Sequence, residues 1–302
     1  MRDGASARIE LVMGTLVSID IVHTSPAAEA AIERAFGWFH EIEARCSRFL
    51  PESELMQLAA QPGEAVPVSA ILFEAVRFAL QVAEESGGAF DPTVGHRMEE
   101  RGFNREHRGG ELVRSPFASL PDTSYRDVEL DGVARTITLR RPLTLDLGAV
   151  AKGLAVDTAA RELASFRDFA INAGGDLYLG GVNRRGELWS VGIRHPRREG
   201  EWIRSVRVSN QAVCTSGDYE RQTPAGVDGH HILDPRTGDS PRAVASTTVI
   251  APGAMLADAL ATAAFVLGPS AGIPLMERMD VEGLIVTSDL TQYETKGLGE
   301  LA

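Results

Sequence analysis

The chain has 302 residues, and its 30 Lys and Arg against 42 Asp and Glu give a formal net charge of −12. Its 44% hydrophobic and 24% charged residues are typical of a soluble globular protein with a large core, which excludes a disordered or fibrous chain. The acidic balance argues against nucleic-acid binding, which depends on Lys and Arg that neutralise phosphates. The length allows one large domain or two lobes, and without a sharp linker we expect a single domain over residues 1–302.

No apolar run approaches the 18 or so residues of a membrane span, so we expect no integral membrane segment. The first ten residues contain no apolar signal-peptide region, which predicts a cytoplasmic protein, or a periplasmic one if a leader has been removed. Cys46 and Cys214 are far apart and not in metal-ligand spacing. They allow one disulfide, but we expect two unrelated buried thiols.

The predicted elements begin with a strand at 16–22, where β-branched residues alternate loosely with others. A helix then starts at Ser25 and Pro26, a capping hydroxyl followed by Pro at the first helical position, and runs to Cys46. A second helix starts at Ser69 and closes at the Gly pair 87–88. The segment after it, 101–124, is polar and rich in Gly and Arg, which predicts a surface loop.

The second half of the chain mixes strands and helices without a strict β-α-β rhythm, so the predicted fold class is α+β. Its Arg-rich hairpin is interpreted as solvated, because the whole chain is acidic. The predicted elements are strand pieces at 136–140 and 143–146, a helix at 149–165, a strand–turn–strand unit at 169–179, two strands within 189–208, a strand at 246–250, a helix at 254–267 and a strand at 284–287.

Asp258 and Thr262 lie four residues apart on the predicted helix 254–267, and therefore on one face, which is otherwise Ala and Leu. A carboxylate and a hydroxyl on such a surface are hard oxygen ligands suited to Mg²⁺. The alternative is that the Asp reaches solvent while the Thr bonds back to the carbonyl four residues earlier. The pair by itself leaves both interpretations open.

Three other segments carry polar or aromatic residues at turns. His231 precedes the turn 234–238, which would hold a histidine in a defined place, and a histidine can serve as a general base near neutral pH. Spacing alone nevertheless favours a surface turn with two incidental histidines. Asp146 precedes the helix 149–165, whose N-terminus favours either a phosphate or plain capping by the Asp. Phe90 follows a helix end, and its simplest interpretation is a core side chain under a loop unless a ligand is independently implied.

Eight short segments then occur in order between residues 10 and 290, each weak as a motif by itself. They are Met13-Gly14-Thr15, 47–55 (S-R-F-L-P-E-S-E-L), 88–95 (G-A-F-D-P-T-V-G), 145–153 (L-D-L-G-A-V-A-K-G), 172–176 (N-A-G-G-D), 215–221 (T-S-G-D-Y-E-R), 231–238 (H-I-L-D-P-R-T-G) and Ala257-Asp258-Ala259 with Thr262. Taken together, they resemble the ApbE family, the FAD:protein FMN transferases.

The resemblance implies transfer of the FMN part of FAD onto a Thr or Ser hydroxyl of an acceptor flavoprotein, with release of AMP. It implies an ApbE-like mixed α/β fold, with FAD and Mg²⁺ in a cleft between two lobes. It makes His231 the general base. The implied metal ligands are Asp258 and Thr262, with backbone oxygens of Ala149 or Ala261. The residues implied to line the FAD site are Met13, Phe49, Ala89, Phe90, Asp91, Asp146 and Lys152.

The chain departs from the family pattern at two of these positions. Ala261 stands where some members have a second acidic residue, so a metal would be held with one charge less. Phe49 stands where others have Tyr, which removes a hydroxyl hydrogen bond. Two other functions stay open: a metal-dependent FAD pyrophosphatase, in which water replaces the acceptor hydroxyl, and a flavin-binding protein without turnover, which leaves His231 and Thr262 no task.

Overall fold

The structure is a computed structural model that describes residues 6–23, 25–105, 110, 112–115, 120, 122–223 and 229–301. Its helices are α1 (Pro26–Cys46), α2 (Glu54–Ala59), α3 (Ala70–Glu85), α4 (Gly95–Glu100), α5 (Gly148–Leu163), α6 (Ala254–Leu267) and α7 (Pro269–Arg278). Its strands are β1 (Ser6–Val12), β2 (Thr15–Ile21), β3 (Ala65–Pro67), β4 (Val128–Asp131), β5 (Thr136–Leu139), β6 (Phe169–Ala173), β7 (Asp176–Gly180), β8 (Trp189–Arg194), β9 (Trp202–Val208), β10 (Gln211–Gly217), β11 (Val244–Ala251), β12 (Glu282–Thr287) and β13 (Gln292–Glu294).

An eight-stranded antiparallel sheet, in the order β1-β2-β6-β7-β10-β11-β12-β13, organises the molecule. The α+β prediction is therefore confirmed. Helices α1, α5 and α6 pack against one face of the sheet, and the hairpin β8–β9 packs against the other. Side chains alternate between the two cores along β10, where Cys214 faces the helices and Val213 faces the hairpin. Strand β11 is buried at every residue because both of its faces are covered.

The two predicted N-terminal helices begin at the serines that the sequence indicated as N-caps. The Ser25 hydroxyl accepts a hydrogen bond from the Ala28 N–H at 3.1 Å, and Ser69 accepts one from the Leu72 N–H at 3.2 Å. After α3 the chain turns through two glycines, Gly87 and Gly88, both with positive φ. Predicted and observed boundaries agree to within one or two residues.

Both cysteines are free and buried, as expected. Burial raises the pKa of the Cys46 thiol to about 12. No helix in the described ranges is both long and apolar enough to cross a bilayer.

Other local predictions were wrong or incomplete. Residues 143–146 form no strand; they are extended, and the Asp146 N–H donates to the Pro92 carbonyl at 2.6 Å. The predicted loop 101–124 includes the buried residues Asn104 and Val113, while its positions 106–109, 111, 116–119 and 121 lie outside the described residues. The sequence pattern did not indicate the strands β1, β3, β4, β10 and β13 or the helices α2, α4 and α7.

The crossing of α5 and α6 positions the chemistry described below. A Cβ atom on Gly153 would stand 2.5 Å from the Cα of Met255, so only glycine permits this approach of the two helices. The Asp157 carboxylate on α5 accepts hydrogen bonds from the Ala254 and Met255 N–H groups at 2.6 and 3.0 Å, which caps the start of α6. The two helices are thereby fixed in one register.

Candidate functional site

A cleft of about 970 Å³ opens where α5 begins, beside the middle of α6 and the end of β10. The β6–β7 turn, the β1–β2 turn and the hairpin β8–β9 complete its walls. Its volume is at the upper end of the range for small-molecule sites, which suits a ligand as large as a dinucleotide.

A cluster of three charged residues forms the floor of this cleft, one each from α5, β7 and α6. The Lys152 Nζ lies 3.2 Å from the Asp258 Oδ2 and is also in ion-pair contact with Asp176. Asp176 is 3% exposed and Asp258 7% exposed, so both carboxylates are removed from water. Two buried carboxylates thus share one ammonium, and this excess negative charge favours a further cation.

Two hydroxyls lie next to this cluster. The Thr262 Oγ1, one helical turn after Asp258, is 3.1 Å from the Ser216 Oγ at the end of β10. Asp258 is only 7% exposed and faces the cleft, so the alternative interpretation, in which it extends from an outer helix surface into solvent, is wrong in that respect. The carboxylate and both hydroxyls face the cleft together.

The oxygen atoms at the floor of the cleft supply part of a coordination shell for Mg²⁺. No group of three or more His, Cys, Asp and Glu side chains surrounds a metal position in the part of the chain that the structure describes. Mg²⁺ commonly binds through one or two carboxylates together with substrate phosphates, and Asp258 with Thr262 provides such a partial set. Ala149 lines the cleft in the first turn of α5. Ala261 is fully buried and is not among the residues of the cleft wall, so the role of its backbone oxygen stays a prediction.

Asp146 lies on the cleft wall and is already paired. Its Oδ2 accepts a hydrogen bond from the Arg48 Nε at 2.6 Å, and its Oδ1 accepts one from the Gly148 N–H at 2.7 Å. Burial alone would raise the pKa of Asp146, but the charge of Arg48 and the Gly148 hydrogen bond lower it below its usual value. Asp146 therefore both caps the start of α5 and neutralises the buried Arg48.

Asp91 is also on the wall, and its oxygens are likewise used within the protein. Its Oδ1 accepts hydrogen bonds from the Thr93 N–H at 2.9 Å and hydroxyl at 2.7 Å, and its Oδ2 accepts one from the Tyr125 N–H at 3.0 Å. Burial raises the pKa of Asp91, although these hydrogen bonds act to lower it. The neighbouring Ala89 and Phe90 line the cleft and are buried.

Phe49 lines the cleft, whereas Met13, which the resemblance implied for the FAD site, is not among the residues of the cleft wall. The Arg48 guanidinium lies 4.1 Å from the centre of the Phe49 ring. Met13 has a φ of 52° in the two-residue turn between β1 and β2, and its N–H donates to the Glu43 Oε1 at 3.0 Å. Met13 lines a side pocket of about 100 Å³ that shares Phe49 and Lys152 with the main cleft.

His231 also lines the cleft. Burial and the nearby charge of Arg221 lower the pKa of His231 to about 3, so its imidazole is neutral at pH 7. Its Nδ1 is buried and has no hydrogen-bond partner among the residues that the structure describes.

His230 anchors the segment that carries His231. The His230 Nε2 is 3.0 Å from the Pro241 carbonyl oxygen, and its ring stands edge-on to Phe265 with centroids 5.4 Å apart. The turn that follows forms as predicted, with Gly238 at positive φ. The interpretation of two incidental surface histidines is wrong, because His230 is 6% exposed and His231 is only partly exposed.

Several residues that line the cleft were not predicted from the sequence, namely Arg48, Asp176, Ser216, Tyr219 and Trp202. The first four fall inside the short motifs quoted above, which was the available signal. Tyr219 packs beneath the backbone of Gly217, and burial raises its pKa to about 12. Trp202 is 64% exposed, and no sequence pattern marked it.

Known proteins resemble the whole of this architecture. The sequence model described as "ApbE family" matches residues 13–285. An FAD:protein FMN transferase from Treponema pallidum is 36% identical over 321 aligned positions, which cover 97% of this chain and 87% of the relative. The crystal structure of the ApbE protein from Thermotoga maritima has a TM-score of 0.87 and 30% identity, covering 99% of each chain. The flavin transferase ApbE from Vibrio cholerae has a TM-score of 0.84 and 26% identity, covering 99% of this chain and all of the other.

Proposed function

Because this chain belongs to the ApbE family and is a transferase, we propose that it moves the FMN part of FAD onto a Thr or Ser hydroxyl of an acceptor flavoprotein. One observation carries the proposal: two buried carboxylates share a single ammonium at the floor of a cleft of dinucleotide size. In the reaction, the acceptor oxygen bonds to the FMN phosphorus and the bond to the AMP phosphate oxygen breaks. The acceptor hydroxyl loses its proton, and AMP leaves.

The negative charge of the diphosphate opposes attack by an oxygen nucleophile. Mg²⁺ bound by Asp258, Thr262 and the backbone oxygen of Ala149 would neutralise this charge and polarise the phosphorus. Phe49 and Phe90 line the cleft and offer flat apolar surfaces for the ring system of the flavin.

His231 takes the proton of the acceptor hydroxyl in this proposal. Its imidazole is neutral in the free protein, since burial and Arg221 lower its pKa. A diphosphate in the cleft brings negative charge, which raises the pKa of His231 towards the working pH and makes it a stronger base. The proton then passes to solvent, because the phosphate of AMP leaves ionised.

The test is co-expression with a candidate acceptor, followed by mass spectrometry of that acceptor. We expect FMN joined by a phosphoester to one Thr or Ser, and no such mass with Asp258→Ala. Glu29→Gln, an exposed carboxylate in the first turn of α1, is the control and should modify the acceptor as the wild type does. Wild-type modification levels with Asp258→Ala would refute the assignment of the floor residues.

A second measurement separates transfer from the two other functions. The protein is incubated with FAD and Mg²⁺, with and without acceptor, and AMP is quantified. If the protein is a transferase, AMP should form in the same amount as modified acceptor, and little AMP should form when no acceptor is present. Rapid AMP release without acceptor identifies a pyrophosphatase, and FAD that stays intact in both samples identifies a flavin-binding protein.

A further inference from the structure

We propose that Lys152 is an internal counter-ion that holds the place of the divalent cation: it neutralises Asp258 while no cation is bound and releases Asp258 when one binds. The inference rests on the proposed function, because it concerns the same floor cluster. It differs from the assignment of Lys152 to the flavin nucleotide, since in this structure the ammonium points to carboxylates.

The first support is the balance of charge. Asp176 and Asp258 are almost fully buried, and the Lys152 side chain is 23% exposed. Among the described residues, Lys152 is the only cation in an ion pair with Asp258. A buried carboxylate without a counter-charge is strongly destabilising, so the cation-free protein needs this ammonium.

The second support is that Lys152 has another partner. It contacts Asp176 as well as Asp258, so it can leave Asp258 without becoming an unpaired charge. Its four-carbon stem is flexible, while the backbone beside it is fixed by the close packing of Gly153 against α6. The side chain can therefore move although the helix cannot.

The third support is the position of the remaining oxygens. The Thr262 and Ser216 hydroxyls lie beside Asp258, on the cleft wall that Lys152 also lines. A divalent cation on Asp258 and Thr262 repels the ammonium at this short range. Lys152 thus lowers the affinity of the site for the cation, and it stabilises the folded protein while no cation is bound.

The test titrates Mg²⁺ alone into nucleotide-free protein by isothermal calorimetry. Lys152→Met removes the charge and keeps the apolar stem, and we expect its Mg²⁺ affinity to rise about tenfold or more over wild type. Lys152→Arg keeps the charge and is the matched control, with an affinity within about threefold of wild type. In EDTA, Lys152→Met should melt several degrees lower, and Mg²⁺ should raise its melting temperature more than that of wild type.

Unchanged or weaker Mg²⁺ binding by Lys152→Met overturns the inference. If that variant does not fold, Asp258→Asn replaces it: the Lys152–Asp176 pair stays neutral, so melting in EDTA should not fall and the Mg²⁺-induced rise should disappear. A fall in the EDTA melting temperature of Asp258→Asn would also overturn the inference. Failure of the proposed function is seen separately, as absence of Mg²⁺-dependent acceptor modification by the wild type.

Discussion

The wall and the floor of the cleft each contain two aspartates, and the two pairs differ in how their charge is balanced. On the wall, Asp91 and Asp146 direct their oxygens to backbone N–H groups, a hydroxyl and Arg48. On the floor, Asp176 and Asp258 depend on one shared ammonium. Asp91 on the wall is as buried as Asp258 on the floor, and only Asp146 is partly exposed, so pairing is what separates a carboxylate that stabilises the fold from one that remains open to a ligand.

The largest expected effect is on activity at the floor. Asp258→Asn should reduce FMN transfer by about 10³-fold or more, or roughly 4 kcal/mol in activation free energy, because the cation loses its charged ligand. The free energy of unfolding should change by less than about 1 kcal/mol, since the remaining Lys152–Asp176 pair is balanced. Single-turnover transfer assays and urea unfolding give the two numbers. Large losses of both would contradict the contrast between floor and wall.

The wall should show the opposite pattern. Asp146→Ala leaves Arg48, which is only 4% exposed, without its carboxylate and removes the hydrogen bond to the Gly148 N–H. We expect a loss of about 3 kcal/mol in the free energy of unfolding, measured by urea titration. A loss below about 1 kcal/mol would mean that the wall pair is not structural.

The helix crossing that supports the floor gives a third, smaller effect. Gly153→Ala forces a Cβ into the backbone of α6, and we expect a loss of about 2 kcal/mol in unfolding free energy with a parallel weakening of Mg²⁺ binding. Gly37→Ala in α1 is the control, because its Cβ would meet nothing within 4 Å. It should stabilise the protein by about 0.5–1 kcal/mol. Equal effects at both positions would count against the close crossing.

The smallest effect comes from pH and concerns His231. Its folded pKa of about 3 is below the ordinary value of 6.5, so the unfolded chain binds the proton more readily. Stability is therefore complete above pH 6.5 and is lost as the pH falls towards 3. At pH 5 the loss is roughly 1–2 kcal/mol relative to pH 7, and His231→Gln should lack this component. Urea midpoints of both proteins across this range test it, and identical pH profiles would be the contrary result.

Local signals in the sequence predicted local structure well. Ser25 and Ser69 cap helices where expected, because a capping hydroxyl acts within three residues. The same reasoning failed at β1, where Ile9 and Leu11 are 67% and 58% exposed on the outer face of an edge strand, so its polar and apolar residues do not sort by burial. It also missed α7, whose interior contains Pro274.

In the candidate site, too, some features could be predicted from local sequence and others arise only from the fold. Helical spacing made Asp258 and Thr262 candidates and a turn pointed to His231, but only the order of the motifs gave these residues roles. The small residues of α6 indicated that a face around Asp258 would be buried. The pairing of Lys152 with Asp258 spans 106 residues and exists only because α5 and α6 cross at Gly153, while Asp176 joins them from the sheet. Caps and periodicity depend on neighbours within a few residues, so the sequence by itself determined the helices that carry such signals, as at Ser25 and Ser69. Charge balance depends on which distant groups share a desolvated space, so only the tertiary structure decided which carboxylates stay open to a cation.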